Sequence, residues 1–467
     1  MTSTPPRPPS SRLVLERPMT SPEPPTWDGA VWVGAVDVRE VPATDGAATD
    51  GATTDRAATD GATTDEGTVR LVAADGYRTA RLLVRDGTSP RGFVDLPVTD
   101  GAVDAGGLRD AVAGLPPAEH PPVPVRLPST TVVLCTRDRA DQLADALRSV
   151  LALDHPDLEV VVVDNAPSDD ATRRLVTAPG TDPRVRYVLE PTPGLSSARN
   201  AGVRAARGEV VAFTDDDVVV DPRWLRAVAS GFARGEDVVC VSGLVASGEL
   251  RTPAQRWFDE RVTWSRNLTP RVFRLASPPA DRPLFPFSVG DYGTGASFAV
   301  RRDALLALGG FDEALGVGTV TGGGEDIDLF ARVVLSGAAL VVEPSALVWH
   351  RHRADVAALR TQAVGYGTGL GAWLTKTALR PRTLGMALVR APGALRHLLV
   401  GPAAPAVVGA GGAARPVAVP AAGDAAFDRE VAAVRGVELR AVLRGVGRYA
   451  RSRWTVRART AARRRPS

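Results

Sequence analysis

The hydrophobic positions change rhythm along the chain. In AVWVGAVDVRE (from Ala30), TVRLVAADG (Thr68), TARLLVRDG (Thr79) and RGFVDLPV (Arg91), apolar residues alternate with polar ones between Asp-Gly turns. A period of two with such turns predicts short antiparallel strands. From Thr131 the apolar residues come instead as unbroken runs, TVVL, VVVV, VRYVL and VVAFT, separated by stretches of helical spacing. RADQLADALRSVLAL sets Leu143, Leu147, Val150 and Leu151 on one helical face, and SSARNAGVRAARG is a small-residue helix that Gly208 is expected to close. Continuous apolar strands alternating with helices predict an α/β domain whose mainly parallel sheet is covered on both faces. Ligands of such sheets bind at the carboxyl ends of the strands.

These changes divide the chain. Residues 1–28, rich in Pro, Ser and Thr, read as a disordered tail, and residues 29–114 as a small β-rich region. Within the latter, residues 44–67 are a near-repeat of Thr, Asp, Gly and Ala, too polar to bury a core and without the apolar stacking positions of a calcium-binding repeat. A disordered insertion is expected there. Residues 115–129 form a Pro-rich linker, 130–353 the α/β domain, and 354–467 a helical region interrupted by Gly and Pro.

Composition narrows the classes. The chain has 467 residues, 44% hydrophobic and 23% charged, as expected of a soluble protein of two or three domains. A net charge of +3 gives no reason to expect nucleic acid. Two cysteines, Cys135 and Cys240, exclude a disulfide framework or a Cys-based zinc site and suit a reducing cytosol. The first residues lack the apolar core of a secretory signal, and the uncharged window Leu398–Ala414 carries Pro402 and Pro405, so no span is expected. From Arg440 onward there are ten arginines and no acid. That pattern reads as a solvated basic helix, or as one attracted to anionic headgroups at the inner face of the plasma membrane.

Two of the apolar runs end in acids, VVVV at Asp164 and VVAFT at Asp215-Asp216-Asp217. A parallel sheet puts both on the ligand rim, beside Thr136-Arg137-Asp138-Arg139 and Arg199. Carboxylates, guanidinium groups and the start of the small-residue helix suit a nucleoside diphosphate plus a metal. Any one of these acids alone would be an ordinary helix cap. Glu325, Asp326 and Asp328 open the helical stretch IDLFARVVLSG, after a flexible Gly322-Gly323-Gly324 loop and before Gly337 as its stop. Alone they would be ordinary first-turn acids. His350 and His352 alternate onto one side after ALVVEPSALVW, so one of them is expected at a metal. The glycines of YGTGASFAV offer amides to phosphate or acceptor, or serve a tight turn. Trp257, Phe258 and Trp264 read as packing residues.

The ordered series TVVLCTRDRADQLADALRSVLALDHPDLEVVVVDN, GLSSARNAG, VVAFTDDDVVVDPRWL, GTGASFAVRRDALLALGGFDEALG, GGGEDIDLFARVVLSG and VWHRHR resembles the family 2 inverting glycosyltransferases of the GT-A fold. The resemblance covers about Thr130 to Arg353. It implies that Thr136 opens the nucleotide pocket, Asp164 hydrogen-bonds the base, and Arg199 lies near base and phosphates. Asp215 to Asp217 match the Asp-x-Asp signature, with the first acids near the ribose and Asp217 on the metal. His350 is implied as a further metal ligand and Asp326 as the general base. Arg137, Gly295 and Glu325 complete the expected substrate-binding set.

The implied cofactor is Mg²⁺ or Mn²⁺. The implied partners are a nucleoside diphosphate sugar, UDP favoured, and an acceptor hydroxyl on an envelope glycan, glycolipid or secondary metabolite. A hydroxyl is a poor nucleophile, so a carboxylate must take its proton as the new bond forms. A sugar-nucleotide nucleotidyltransferase would carry a Gly-rich Arg/Lys signature in its first strand-helix turn, and CTRDRADQ has no glycine. A non-catalytic nucleotide-sugar scaffold would show a damaged Asp-x-Asp or Glu-Asp pair, and both are intact.

Overall fold

The computed structural model describes residues 13–41 apart from 20 and 22, residues 67–400 apart from 263, and residues 425–463. The expectations for the first twelve residues, for the repeat at 44–67 save Gly67, for most of the window after Leu398 and for Arg464-Arg465 lie outside these.

The runs of valine become the centre of a nine-stranded sheet. Thr130–Thr136 lies between Val210–Asp215 and Leu158–Asn165, with Val185–Glu190 beyond, all four parallel. Ser297–Arg301 runs antiparallel to Val210–Asp215 and joins it to Val238–Ser247 and Ala339–His350, a second parallel pair. Val218–Val220 and Arg271–Phe273 pair antiparallel with Ala339–His350. Six of the nine strands therefore point one way, and the mainly parallel α/β architecture is borne out.

Both sheet faces are covered, which is why these strands are apolar without alternation. Val132, Leu134, Val160 and Val162 pack with Leu143, Leu147 and Val150 of helix Ala140–Leu151. Their neighbours Val133, Val161 and Val163 pack on the other face with Ala198, Ala201, Leu329 and Val333. The register Thr136↔Asp164 and Cys135↔Asp215 brings the carboxyl ends of three strands to one rim.

Gly208 does not close the small-residue helix. That helix, Leu195–Ala205, ends at an extended Ala206. Gly208 is needed for close approach instead, since a Cβ there would lie 2.6 Å from the Thr131 backbone nitrogen.

The β-rich region departs from the antiparallel expectation. Val31–Asp37 pairs parallel with Thr79–Asp86, which pairs antiparallel with Ser89–Pro97. Parallel neighbours need a long crossover, and the four decades of residues between these strands supply it. Val31 and Val33 pack with Leu83 against Leu244, Ala246, Leu347 and Trp349 of the large sheet and against Leu250 just beyond it. Trp32 and Val36, on the opposite face, enter the region's own core. Arg85 also reaches Asp221 at 2.5 Å, and Arg81 reaches Asp259 at 2.7 Å.

Helices Val356–Ala378, Pro381–Val400 and Ala425–Arg463 follow the sheet. The glycines at 322–324, expected as a flexible loop, are packed against the first of these helices. A Cβ on Gly324 would meet the Gly369 carbonyl oxygen at 2.8 Å, and its φ of +93° lies in the left-handed region.

Candidate active site

The acidic strand end is built by register. Val210–Asp215 stops, Asp216-Asp217 turn, and Val218–Val220 pairs back with Val218 opposite His350. The backbone N–H of Arg351 donates to the Asp217 carbonyl at 3.1 Å, closing the corner. His350 Nε2 then lies 3.3 Å from Asp217 Oδ1. One ligand atom from each of Asp215, Asp217 and His350 falls within 4.8 Å of the others. Two carboxylate oxygens and one imidazole nitrogen form a donor set that suits Mn²⁺ or Mg²⁺. The residues present therefore fit a divalent cation. Asp215, expected near the ribose, joins Asp217 and His350 in this cluster.

The surrounding charges separate the three aspartates. Burial pushes Asp215 up to about 6 against the pull of Arg199. Asp216 is raised by burial and by Asp217, partly offset by its hydrogen bonds. Burial would raise Asp217 too, but His350, Arg353 and Arg139 outweigh it and hold the carboxyl well below the usual range. For His350, burial disfavours the cation, yet Asp217 prevails and raises the imidazole. Asp216 faces other partners: Thr136 Oγ1 donates to it at 2.7 Å and Arg139 Nη1 at 3.1 Å. It braces the rim rather than joining the cluster.

Arg199, expected beside base and phosphates, is used by the protein itself. It is buried, donates to Glu325 at 3.1 Å and to the Gly295 carbonyl at 3.0 Å, and lies 3.4 Å from Asp215. A buried guanidinium must be satisfied by such partners, so Arg199 ties Glu325, Gly295 and Asp215 together. Glu325, expected to bind substrate, is buried against it, and burial with Asp326 nearby pushes its carboxyl up to about 7. The start of the small-residue helix is also closed: Leu195 N–H donates to Val317 O at 2.8 Å, and Ser196 Oγ to Leu315 O at 2.7 Å. These two donors are taken by the chain's own carbonyls.

Asp326 stands in the first turn of helix Glu325–Leu335, as its spacing implies. Its Oδ2 accepts from Gly295 N–H and its Oδ1 from Ile327 N–H, both at 2.8 Å. Gly295 thus serves the acid on one side and Arg199 on the other. Asp164 is fully buried two strands away from the acidic corner, with Oδ2 accepting from Tyr187 at 3.0 Å. Burial raises this carboxyl, and its Oδ1 has no partner among the described residues. Arg137 is half exposed and lies 3.6 Å from Asp138. Of the two histidines, His350 meets Asp217, while His352 is buried behind it, Nδ1 to Nδ1 at 3.1 Å.

Residues 131–307 match the model of the family described as Glycosyl transferase family 2. The chain is 30% identical to the succinoglycan biosynthesis protein ExoM of Rhizobium meliloti over 256 residues, 52% of this chain and 75% of that protein. The chain belongs to glycosyl transferase family 2.

It is also 29% identical to a pre-mycofactocin glycosyltransferase of Mycobacterium tuberculosis over 255 residues, 53% of this chain and 47% of that protein. The chain thus spans about half the length of that relative. A solved mannosyltransferase of Pyrobaculum calidifontis, in complex with GDP-Man and Mn²⁺, superposes with a TM-score of 0.42 at 20% identity, over 71% of this chain and 89% of that one.

In this family 2 chain, sequence reasoning put Arg139 on the rim without a role and gave none to Arg353, yet each lies 3.6 Å from Asp217. Arg139 was visible in TRDRAD, but nothing in the spacing said which arginine would turn inward. Arg353 closes VWHRHR and could have been singled out by its distance from His350. Asp259 and Ser247, which hold His352, carry no local signal at all.

Proposed function

We propose that this glycosyltransferase is metal-dependent and inverting, and moves a sugar from a nucleoside diphosphate, UDP favoured, to an acceptor hydroxyl. The carrying observation is the grouping of Asp215, Asp217 and His350 within 4.8 Å, tied through Arg199 and Gly295 to Asp326. Asp326 accepts the acceptor proton as the new glycosidic bond forms and the bond to the nucleoside diphosphate breaks on the opposite face. A divalent cation held by the cluster supplies charge compensation for the departing diphosphate. Arg139 and Arg353, beside Asp217, give the same diphosphate two cationic neighbours. The unpartnered Oδ1 of Asp164 is an acceptor that the N3–H of a bound uracil would satisfy.

The acceptor in this reading is an envelope glycan, glycolipid or secondary metabolite reached at the membrane surface on its cytoplasmic side. Support comes from the last helix. Leu439, Leu443, Val446, Ala450 and Trp454 share one exposed stripe by helical spacing, with Leu443 72% and Trp454 73% exposed. The opposite face, Ala441, Tyr449 and Ser452, is buried. Arginines 440, 444, 451, 453 and 457 flank the stripe, a pattern suited to lying on anionic lipid. No helix among the described residues is long and apolar enough to cross a membrane.

The test is ¹H NMR of the product formed from an α-linked UDP-sugar, with and without EDTA. A β-configured product that requires added Mn²⁺ or Mg²⁺ is expected. Retained configuration, or unchanged transfer in EDTA, contradicts the reading.

A further inference from the structure

His350 is the only proposed metal ligand whose second nitrogen is available to something else, and what it meets is not solvent. Its Nδ1 lies 3.1 Å from Nδ1 of the buried His352, whose Nε2 lies 3.0 Å from Ser247 Oγ. Ser247 Oγ donates to Asp259 Oδ1 at 2.6 Å. Asp259 Oδ2 in turn accepts from Arg81 Nη1 at 2.7 Å and Arg266 Nη2 at 2.8 Å. Arg81 belongs to the β-rich region, where Asp95 grips its Nε and Nη2 at 2.8 and 3.0 Å. Phe258 packs on His352, with ring centroids 4.7 Å apart.

The donor directions along this chain are fixed by chemistry. The Nε2 of His350 that faces Asp217 must present a lone pair to a cation, so Nδ1 carries the proton. His352 Nδ1 is then the acceptor, and its proton sits on Nε2, donating to Ser247. The serine hydroxyl donates onward to the Asp259 carboxylate. Every link has one donor and one acceptor, and the chain ends on a buried carboxylate neutralised by two guanidinium groups. A metal-bound imidazole is commonly oriented by a partner on its other nitrogen. Here the partner is reached through three residues and is anchored in a different part of the protein.

We propose that Arg81, Asp259, Ser247 and His352 are positioning residues that hold His350 in its metal-binding orientation, so that docking of the β-rich region sets the affinity of the catalytic cation. This rests on the metal-dependent reading above. The consequence is that the β-rich region acts on the active site without touching donor or acceptor.

The experiment titrates the full chain with Mn²⁺ alone and follows free Mn²⁺ by electron paramagnetic resonance. The variants are Ser247→Ala, Arg81→Met, Arg85→Met and Asp217→Ala. Ser247→Ala and Arg81→Met are expected to weaken Mn²⁺ binding by about 10- to 100-fold, the usual effect of losing a partner behind a metal ligand. Arg85→Met removes a second ion pair between this region and the α/β domain, with Asp221, and is expected to leave Mn²⁺ affinity within about twofold. Histidine ¹⁵N spectra are expected to show the Nε2–H tautomer of His352 in the parent chain and its loss in Ser247→Ala. Parent-like Mn²⁺ affinity in Ser247→Ala overturns the relay, as does equal weakening by Arg85→Met and Arg81→Met. Parent protein that binds Mn²⁺ no better than Asp217→Ala overturns the metal site itself, and the relay with it.

Discussion

Replacing Asp326 by asparagine separates the chemistry of this residue from its structural duty. In the parent, both carboxylate oxygens accept backbone N–H groups, from Gly295 and from Ile327, at 2.8 Å each. Asparagine has one carbonyl oxygen, so one of these two donors loses its acceptor. The cost is that of one unmade hydrogen bond, about 1–3 kcal/mol of stability. Loss of a general base costs about 10²–10⁴ in rate, or about 2.7–5.4 kcal/mol at 1.36 kcal/mol per decade. The assay measures nucleoside diphosphate release from a bound donor with an acceptor alcohol, alongside donor affinity and urea denaturation. Turnover is expected to fall by that factor while donor affinity changes less than about threefold, because Asp326 is absent from the metal cluster. Transfer at the parent rate, or a rate loss matched by lost donor affinity, would refute the base assignment.

Three further outcomes follow from the same geometry. A Cβ at Gly295 would lie 2.9 Å from Arg199 Nη2 and 3.2 Å from Asp326 Oδ2, so Gly295→Ala should lower kcat by about 10²-fold through displacement of Asp326, measured beside circular dichroism. Asp259 is buried, yet Arg81 and Arg266 hold its carboxyl below the usual range. A depressed folded pKa means that its stabilisation is complete above about pH 4 and is lost as pH falls through the folded value. Asp259→Asn should therefore cost about 3–5 kcal/mol at pH 7, with the gap from the parent closing toward pH 3 in urea titrations. Leu443→Glu with Trp454→Glu should leave the melting temperature unchanged and abolish sedimentation with anionic liposomes at low salt.

The α/β domain was legible because its signal is local. Val160 to Val163 form the unbroken apolar run that a strand covered on both faces requires, and Asp326 follows Gly322-Gly323-Gly324 and Glu325 into a helical period. What stayed hidden depends on partners far away in sequence. Alternation in Val31–Asp37 showed two faces, but not that Trp32 enters one core while Val31 and Val33 enter another. Arg199 was placed on the ligand rim, but no local cue showed that Glu325 and Gly295 would pair with it. Asp215 and Asp216 are neighbours of one type, and only the turn at Asp216-Asp217 assigns one to the cluster and the other to Thr136 and Arg139. Gly208 looked like a helix stop because glycine serves close approach and left-handed turns alike.

The most direct measurement is a thermal-shift panel of UDP-, dTDP- and GDP-sugars with and without Mn²⁺, on the parent chain and on Asp217→Ala. The account predicts that at least one donor, a UDP-sugar first, raises the melting temperature of the parent only when Mn²⁺ is present, and has no effect on Asp217→Ala. A parent chain that no donor stabilises in Mn²⁺, or an Asp217→Ala variant stabilised to the same extent, would contradict it.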